Sequence, residues 1–515
     1  MSTIELPQDL ESAHALILEM RARVHELQGE NEELKHRLDQ LARRMYGRRS
    51  EQLDAAQLKL AFAALEAELK ELAPAQAPEP ARVERERARG HGRRPLPKHL
   101  PREVRVLKPH EDDLVCSCGR AKVKIGEETS EQLEYVPATC KVIQTVRPKY
   151  ACGRCKEGVS VALAPLRPVQ RGLAGPGLLA HVAVSKYVDH LPLARLERIL
   201  GRLGMPIARQ TLCGWVEKVH EVLAAVEAAQ WASVLASHVL GADETPVNVL
   251  EAGRPQCARG YLWCYVGDRR EVVFDFSMGR GSETPLRALR DRPEGVLQCD
   301  AYAGYDVLER THPRLRRAGC MAHARRKVYE AKETDVERAL VVLALFRQLY
   351  EVEDAIRAQV QATGADPVAT ALALRQERSV PVMDRLEDLA TRYHGEVLPK
   401  SPLGKALGYV TNQRGPLRLY LSDGAIAIDN NAVEREIRSV AVGRGNWTFI
   451  GSEDAGPWAA RLYGLLGTCR LQGINPQEWL ADVLARVREH PPDRMHELTP
   501  RAWRLAREAR QQGGP

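Results

Sequence analysis

The chain has 515 residues, 44% of them hydrophobic, with a net charge of +7. That length excludes a single ordinary domain and leaves enough apolar material for a sizeable core. No N-terminal stretch combines a basic start, an apolar run and a small-residue cleavage site, and no apolar stretch approaches the ~18 residues of a membrane span, so a soluble, cytoplasmic protein with no membrane partner is expected.

From the N-terminus, Leu10, Ile17, Val24, Asn31, Leu38 and Met45 recur every seventh residue, with Ala13, Met20, Leu27, Leu34 and Leu41 three positions after the first five. This seam predicts a coiled coil within residues 1–72 and a homodimer or higher oligomer, with Asn31 fixing the register. A hairpin folded back on residues 51–72 is the alternative. Residues 73–103 form a basic, Pro-containing linker that cannot bury a core. Its arginines, Arg93 and Arg94 among them, are candidate phosphate contacts, and a solvated charged linker is the competing reading.

Residues 104–165 have short strand-like runs and carry Cys116, Cys118, Cys152 and Cys155 in two close pairs. Such pairs suit a structural Zn²⁺, each supplying two thiolates from a tight turn. The first pair has one intervening residue where two to four are usual, so His110 or Cys140 could replace a ligand. With no secretory signal, the eleven cysteines argue against a disulfide framework. Residues 166–236 are helical. Two helices either side of Gly204, the second opening with Arg209, Gln210 and Thr211, resemble a helix-turn-helix for DNA.

Residues 237–456 switch to strands. A short strand from His238 ends at Asp243. Tyr261–Val266 and Glu271–Phe276 flank a hairpin at Gly267-Asp-Arg-Arg270, a helix follows near Glu283, and Gly295–Cys299 runs into Asp300. That order is the order of an RNase H-like sheet. A helical insertion is expected at about 330–415 and a helical segment at 457–515. Cleaving a phosphodiester with two metals needs carboxylates converging on ions ~4 Å apart. Three acids in settings of this kind are Asp243 and Asp300 at strand ends and Glu434 in the first turns of a helix that Asp429 or Asn431 can cap.

The sequence resembles the insertion-sequence-66 family of transposases, of the DDE, integrase-like superfamily, over essentially its whole length. The resemblance rests on Tyr46-Gly-Arg-Arg-Ser-Glu51, Leu96-Pro-Lys-His-Leu-Pro101, the paired cysteines, Ala242-Asp-Glu-Thr-Pro-Val247, Cys320-Met-Ala-His-Ala-Arg-Arg-Lys327, Asp429-Asn-Asn-Ala-Val-Glu-Arg435 and Thr468-Cys-Arg-Leu-Gln-Gly-Ile-Asn-Pro476. It implies a multidomain α/β protein with additional helices. A coiled coil, a small zinc-binding module and a helical DNA-binding region would precede an RNase H-like core with a helical insertion.

The implied activity is Mg²⁺-dependent cleavage and strand transfer at the ends of a bacterial insertion sequence. Asp243, Asp300 and Glu434 would hold two Mg²⁺ ions, for which Mn²⁺ can substitute. The implied partners are DNA (terminal inverted repeats and target) and small accessory proteins of the same element, and the bound protein would associate with the nucleoid. His323, Arg326, Lys327, Arg435 and Arg438 are candidate DNA contacts, although a solvated helix face also accounts for Lys327. Cys320 and His323 have a metal-like spacing, but no second pair lies near them. Glu244, Asp306, Asp429 and Glu436 are rival carboxylates, and Trp447 reads as core. The alternatives are an inactive or repurposed transposase-derived DNA-binding protein and a structure-selective nuclease.

Overall fold

A computed structural model describes residues 166–512 apart from 170, 171, 252, 254, 255 and 293, together with 141–144, 146, 149–150 and 160–161. The heptad seam, the basic linker with Arg93 and Arg94, and Cys116, Cys118, Cys152 and Cys155 lie outside the described residues. The chain divides into two units. In the smaller, β1 (Lys149–Tyr150) pairs antiparallel with β2 (Ser160–Val161). The larger contains the described residues 166–201 and 206–512.

The larger unit opens with α1 (Pro176–Tyr187), whose Pro176 pre-sets the first turn, followed by α2 (Leu193–Arg202), α3 (Arg209–Val222) and α4 (Ala224–Leu235). Arg209, Gln210 and Thr211 at the start of α3 are exposed, while Leu212, Trp215, Val216 and Val219 are buried.

The sheet then forms from β3 (Val239–Val249), β4 (Ala258–Gly267), β5 (Glu271–Ser277), β6 (Glu294–Gln298) and β7 (Arg314–Ala318), in the spatial order β5-β4-β3-β6-β7. The first three strands are antiparallel, and β6 and β7 run parallel to β3. Between β4 and β5, Asp268 and Arg269 both take left-handed backbone, which matches the right-handed twist of a hairpin. The Asp268 carboxylate also accepts the Val239 N–H at 2.9 Å, anchoring the start of β3. Edge strand β5 is covered: Thr468 Oγ1 accepts the Val272 N–H and Gln230 donates to the Val272 carbonyl.

Two short helices, α5 (Glu283–Ala288) and α6 (Asp306–Thr311), flank β6 in sequence. A helical block follows: α7 (Met321–Ala331), α8 (Val336–Thr363), α9 (Pro367–Leu374), a π turn at Arg375–Ser379, α10 (Val380–Glu396), α11 (Pro402–Asn412) and α12 (Arg414–Arg418). Asp335 caps the start of α8 by accepting the Arg338 N–H, and Gly364 ends it at φ 67. Last come α13 (Asn431–Trp447), α14 (Ala455–Leu471), α15 (Pro476–Arg486) and α16 (Pro500–Gln512).

Strand alternation sorts the core into two layers. Leu240 and Ala242 pack with Trp263, Tyr265, Leu297 and Tyr305 on one face. Val239 joins the core of the helical block, where Met321, Phe346, Leu386 and Leu407 are buried. Among the described residues, no helix is long and apolar enough to cross a membrane.

Candidate active site

Strand β3 is longer than its sequence suggests, with Asp243 in its middle. Its parallel ladder with β6 covers only Val239 to Gly241, whereas the antiparallel ladder with β4 continues to Val249. Beyond Gly241 one edge of β3 is therefore released from β6, and Asp243 stands just past the point of divergence. Asp300 follows the end of β6, and its Oδ1 accepts the Tyr302 N–H at 2.9 Å, a local turn that fixes the carboxylate. Glu434 lies in the first turn of α13, where the helix dipole favours a negative charge.

Helix α13 packs on the face of β3 that carries Gly241 and Asp243, and the approach is close. A Cβ at Gly241 would meet Val433 Cγ2 at 2.6 Å and Asn430 Oδ1 at 2.8 Å. Asn430, only 2% exposed, donates from Nδ2 to the Ala242 carbonyl at 2.9 Å, completing the β3 edge that β6 has left. Its backbone N–H donates to Cys320 Sγ at 3.2 Å, and Met321 N–H donates to the Ile428 carbonyl. The segment before Glu434 is thus stitched to β3 on one side and to the start of α7 on the other.

Asp243 feels its acidic neighbours. Burial, then Glu244, Asp300 and Glu434 push the Asp243 carboxyl up to about 8, against a backbone hydrogen bond from Glu244 that lowers it. Glu434 Oε1 is buried without a hydrogen-bond partner. Half-buried carboxylates crowded together, one with an orphaned oxygen, form a donor set suited to a hard divalent cation.

The rival acids are engaged elsewhere. Glu244 pairs with Arg280 at 2.5 Å and accepts from Tyr305 Oη at 3.2 Å. Arg280 in turn lies over the Tyr302 ring. Asp306 pairs with Arg317 at 2.7 Å. Asp429 accepts from Tyr350 Oη at 2.9 Å and from the Asn431 side chain at 2.7 Å, so it braces the turn into α13. Glu436 is buried against Arg470. Trp447 is buried, as expected of a core residue.

Of the basic candidates, Arg326 Nη2 stands 3.5 Å from Glu434 Oε2, and Lys327 is exposed with its ammonium over the Tyr409 ring. Arg435 and Arg438 are exposed on α13. His323 lies beside Glu434 together with Cys320. The roles of Asn430 and Gly241 escaped the sequence reading. A glycine inside a strand, as in Val239-Leu-Gly-Ala-Asp243, is the signal that could have found the second.

Four family models match. "Transposase IS66 family" covers residues 171–457, more than half of the chain. "Zinc-finger binding domain of transposase IS66" covers 113–156, "Transposase C of IS166 homeodomain" 33–105 and "IS66 C-terminal element" 464–501. Among curated proteins of Sinorhizobium fredii (strain NBRC 101917 / NGR234), y4jD is 34% identical, the match covering 94% of each chain. From the same organism, y4qI is 34% identical over 88% of this chain and 85% of its own. The y4hP protein is 33% identical over 80% and 77%. The zinc-finger match points to a structural Zn²⁺, and the transposase match to DNA as partner. With the four models arrayed in order along it and these relatives matching over most of their length, the chain belongs to the IS66 family of transposases.

Proposed function

We propose that the chain cuts DNA at the ends of its element and joins the freed 3′-hydroxyl to target DNA, on a sheet of RNase H-like type. In this reading Asp243, Asp300 and Glu434 hold two divalent cations, Mg²⁺ with Mn²⁺ able to substitute. The observation that carries it is the burial of Asp243 near Glu244, Asp300 and Glu434, together with the orphaned Glu434 oxygen, because a bound divalent cation would favour the ionised carboxylate and satisfy that oxygen. Strand order and direction support the fold, since three antiparallel strands followed by two parallel ones put Asp243 on β3 and Asp300 just past the end of its parallel neighbour β6.

When bound, the cations would supply activation of the attacking hydroxyl and stabilisation of the leaving oxygen. The chain's own groups orient and neutralise. Asn430 and Gly241 fix how closely α13 approaches β3, and so where Glu434 stands relative to Asp243. Arg326, Lys327, Arg435 and Arg438 offer positive charge around the crevice for the DNA backbone. Cys116, Cys118, Cys152 and Cys155 are proposed as the zinc ligands, Arg93 and Arg94 as phosphate contacts, and accessory proteins of the element as partners.

The test is strand transfer with Asp243→Asn, Asp300→Asn and Glu434→Gln. Each should abolish Mg²⁺- or Mn²⁺-dependent joining while DNA binding stays within a few-fold of the unmodified protein. Near-normal joining by any of the three removes that residue from the assignment.

A further inference from the structure

Beside the proposed triad lie two side chains that the three-carboxylate scheme does not use. The ligand-type atoms of Cys320, His323 and Glu434 all fall within 4.8 Å of one another. Their circumstances differ. Cys320 is fully buried and its sulfur accepts the Asn430 N–H, while burial pushes its thiol up to about 12. It packs just before α7 with its sulfur engaged by the 428–430 segment. His323 and Glu434 are both half-buried and face each other, His323 Nε2 standing 3.9 Å from Glu434 Oε1.

That separation is informative. It is too long for an N–H···O hydrogen bond, and Glu434 Oε1 is buried without a partner. Leaving that oxygen unsatisfied costs free energy, so it calls for a third body in the gap to His323 Nε2. A first-row divalent cation bound at about 2.0–2.2 Å from each of two ligands holds the ligand atoms about 3 Å apart at neighbouring octahedral positions and about 3.5 Å apart at tetrahedral ones. The 3.9 Å gap is slightly wider than either, and a small side-chain rotation closes both groups onto one ion. Helix geometry holds the imidazole there: His323 sits in the first turn of α7, and the Cys320 sulfur and the Met321 N–H are tied to the 428–430 segment that leads into Glu434.

We propose that His323 is, with Glu434, a direct ligand of one of the two divalent cations, giving that position a nitrogen donor. The inference rests on the proposed cation-binding role of Glu434 and extends it. Its consequence is selectivity. An imidazole suits Mn²⁺, Co²⁺ or Zn²⁺ better than Mg²⁺, so the two positions are chemically unequal, one all-oxygen and one mixed. The competing arrangement is a plain His–Glu ion pair with no metal between.

Pulsed electron paramagnetic resonance of Mn²⁺ bound to the full-length protein separates the two. The unmodified chain is expected to show Mn²⁺ coupled to ¹⁴N. In His323→Ala that coupling should vanish and one Mn²⁺ should bind about tenfold or more weakly, the order of loss seen when metal-site residues are removed. His323→Asn should do the same if the alanine variant does not fold. Mn²⁺ bound without nitrogen coupling in the unmodified chain overturns the inference and leaves the carboxylate reading standing. So does coupling that persists in a folded His323 variant. If Mn²⁺ does not bind at all, and Glu434→Gln changes nothing, the carboxylate reading falls with it.

Discussion

Asp243 is a residue whose chemistry the fold alters strongly. Its carboxyl rises from 3.8 to about 8 through burial and then through Glu244, Asp300 and Glu434. The sign of the linkage follows. Between those two values the cation-free native state holds a proton that the unfolded chain has released, so this group's contribution to stability falls as pH rises across the window. Asp243→Asn should therefore flatten the decline of the cation-free Tm between about pH 4 and pH 8, leaving the variant more stable than the unmodified protein at the alkaline end. Cation uptake near pH 7 should release protons, and calorimetry in buffers of different ionisation enthalpy would measure them. A pH profile identical in the two proteins would contradict the shifted carboxyl. That Asp243, Asp300 and Glu434 deserved attention was legible from their apolar or helix-opening settings. The effect of its neighbours on Asp243 was not, because it depends on burial and on distances between side chains, which no local pattern encodes.

At the scale of elements, the contact between β3 and α13 decides the geometry. Gly241 admits α13 because it has no Cβ, and Asn430 satisfies the Ala242 carbonyl where β6 turns away. Gly241→Val inserts a branched side chain at a contact already at 2.6 Å. It should cost about 1–3 kcal/mol in stability and, by displacing Glu434, weaken divalent-cation binding more than an equally destabilising change in the helical block. Denaturant unfolding and a Mn²⁺ titration on one preparation would check both, and intact cation affinity in the destabilised variant would contradict the positioning role.

A second tie comes from the block itself. Arg375 in the π turn pairs with Glu353 and donates to the carbonyls of Tyr420, Asp423 and Ile426, holding the segment that leads to Asp429. Hairpin and helix positions in this region were readable from turn residues and 3.6-residue periodicity. The full length of β3 was not: Pro246 and the polar Glu244-Thr245 interrupt the apolar run, and only pairing with β4 carries the strand on to Val249.

At the scale of the whole molecule, the described residues carry one proposed catalytic site, while the proposed reaction acts on two ends of the element. Residues 10–45 carry the seam that would bring two such sites together. Burying a Leu side chain stabilises by roughly 2 kcal/mol, so four or five such positions outweigh one buried Asn31. Pairing raises the effective concentration of the second end once the first is bound. Leu27→Glu with Leu34→Glu in the full chain should impair self-association and two-end synapsis while single-end binding survives. Sedimentation at micromolar concentration would read the first, and an unchanged oligomer in the double variant would contradict the seam's role.

The proposed reaction requires Asp243, Asp300 and Glu434 to share two cations. Anomalous scattering at the manganese edge, from crystals of the chain grown with Mn²⁺ and a DNA end, tests that most directly. Two peaks ~4 Å apart, one touching Asp243 and Asp300 and the other Asp243 and Glu434, are the predicted result. Manganese bound away from these carboxylates, or a well-ordered complex with none between them, would contradict it.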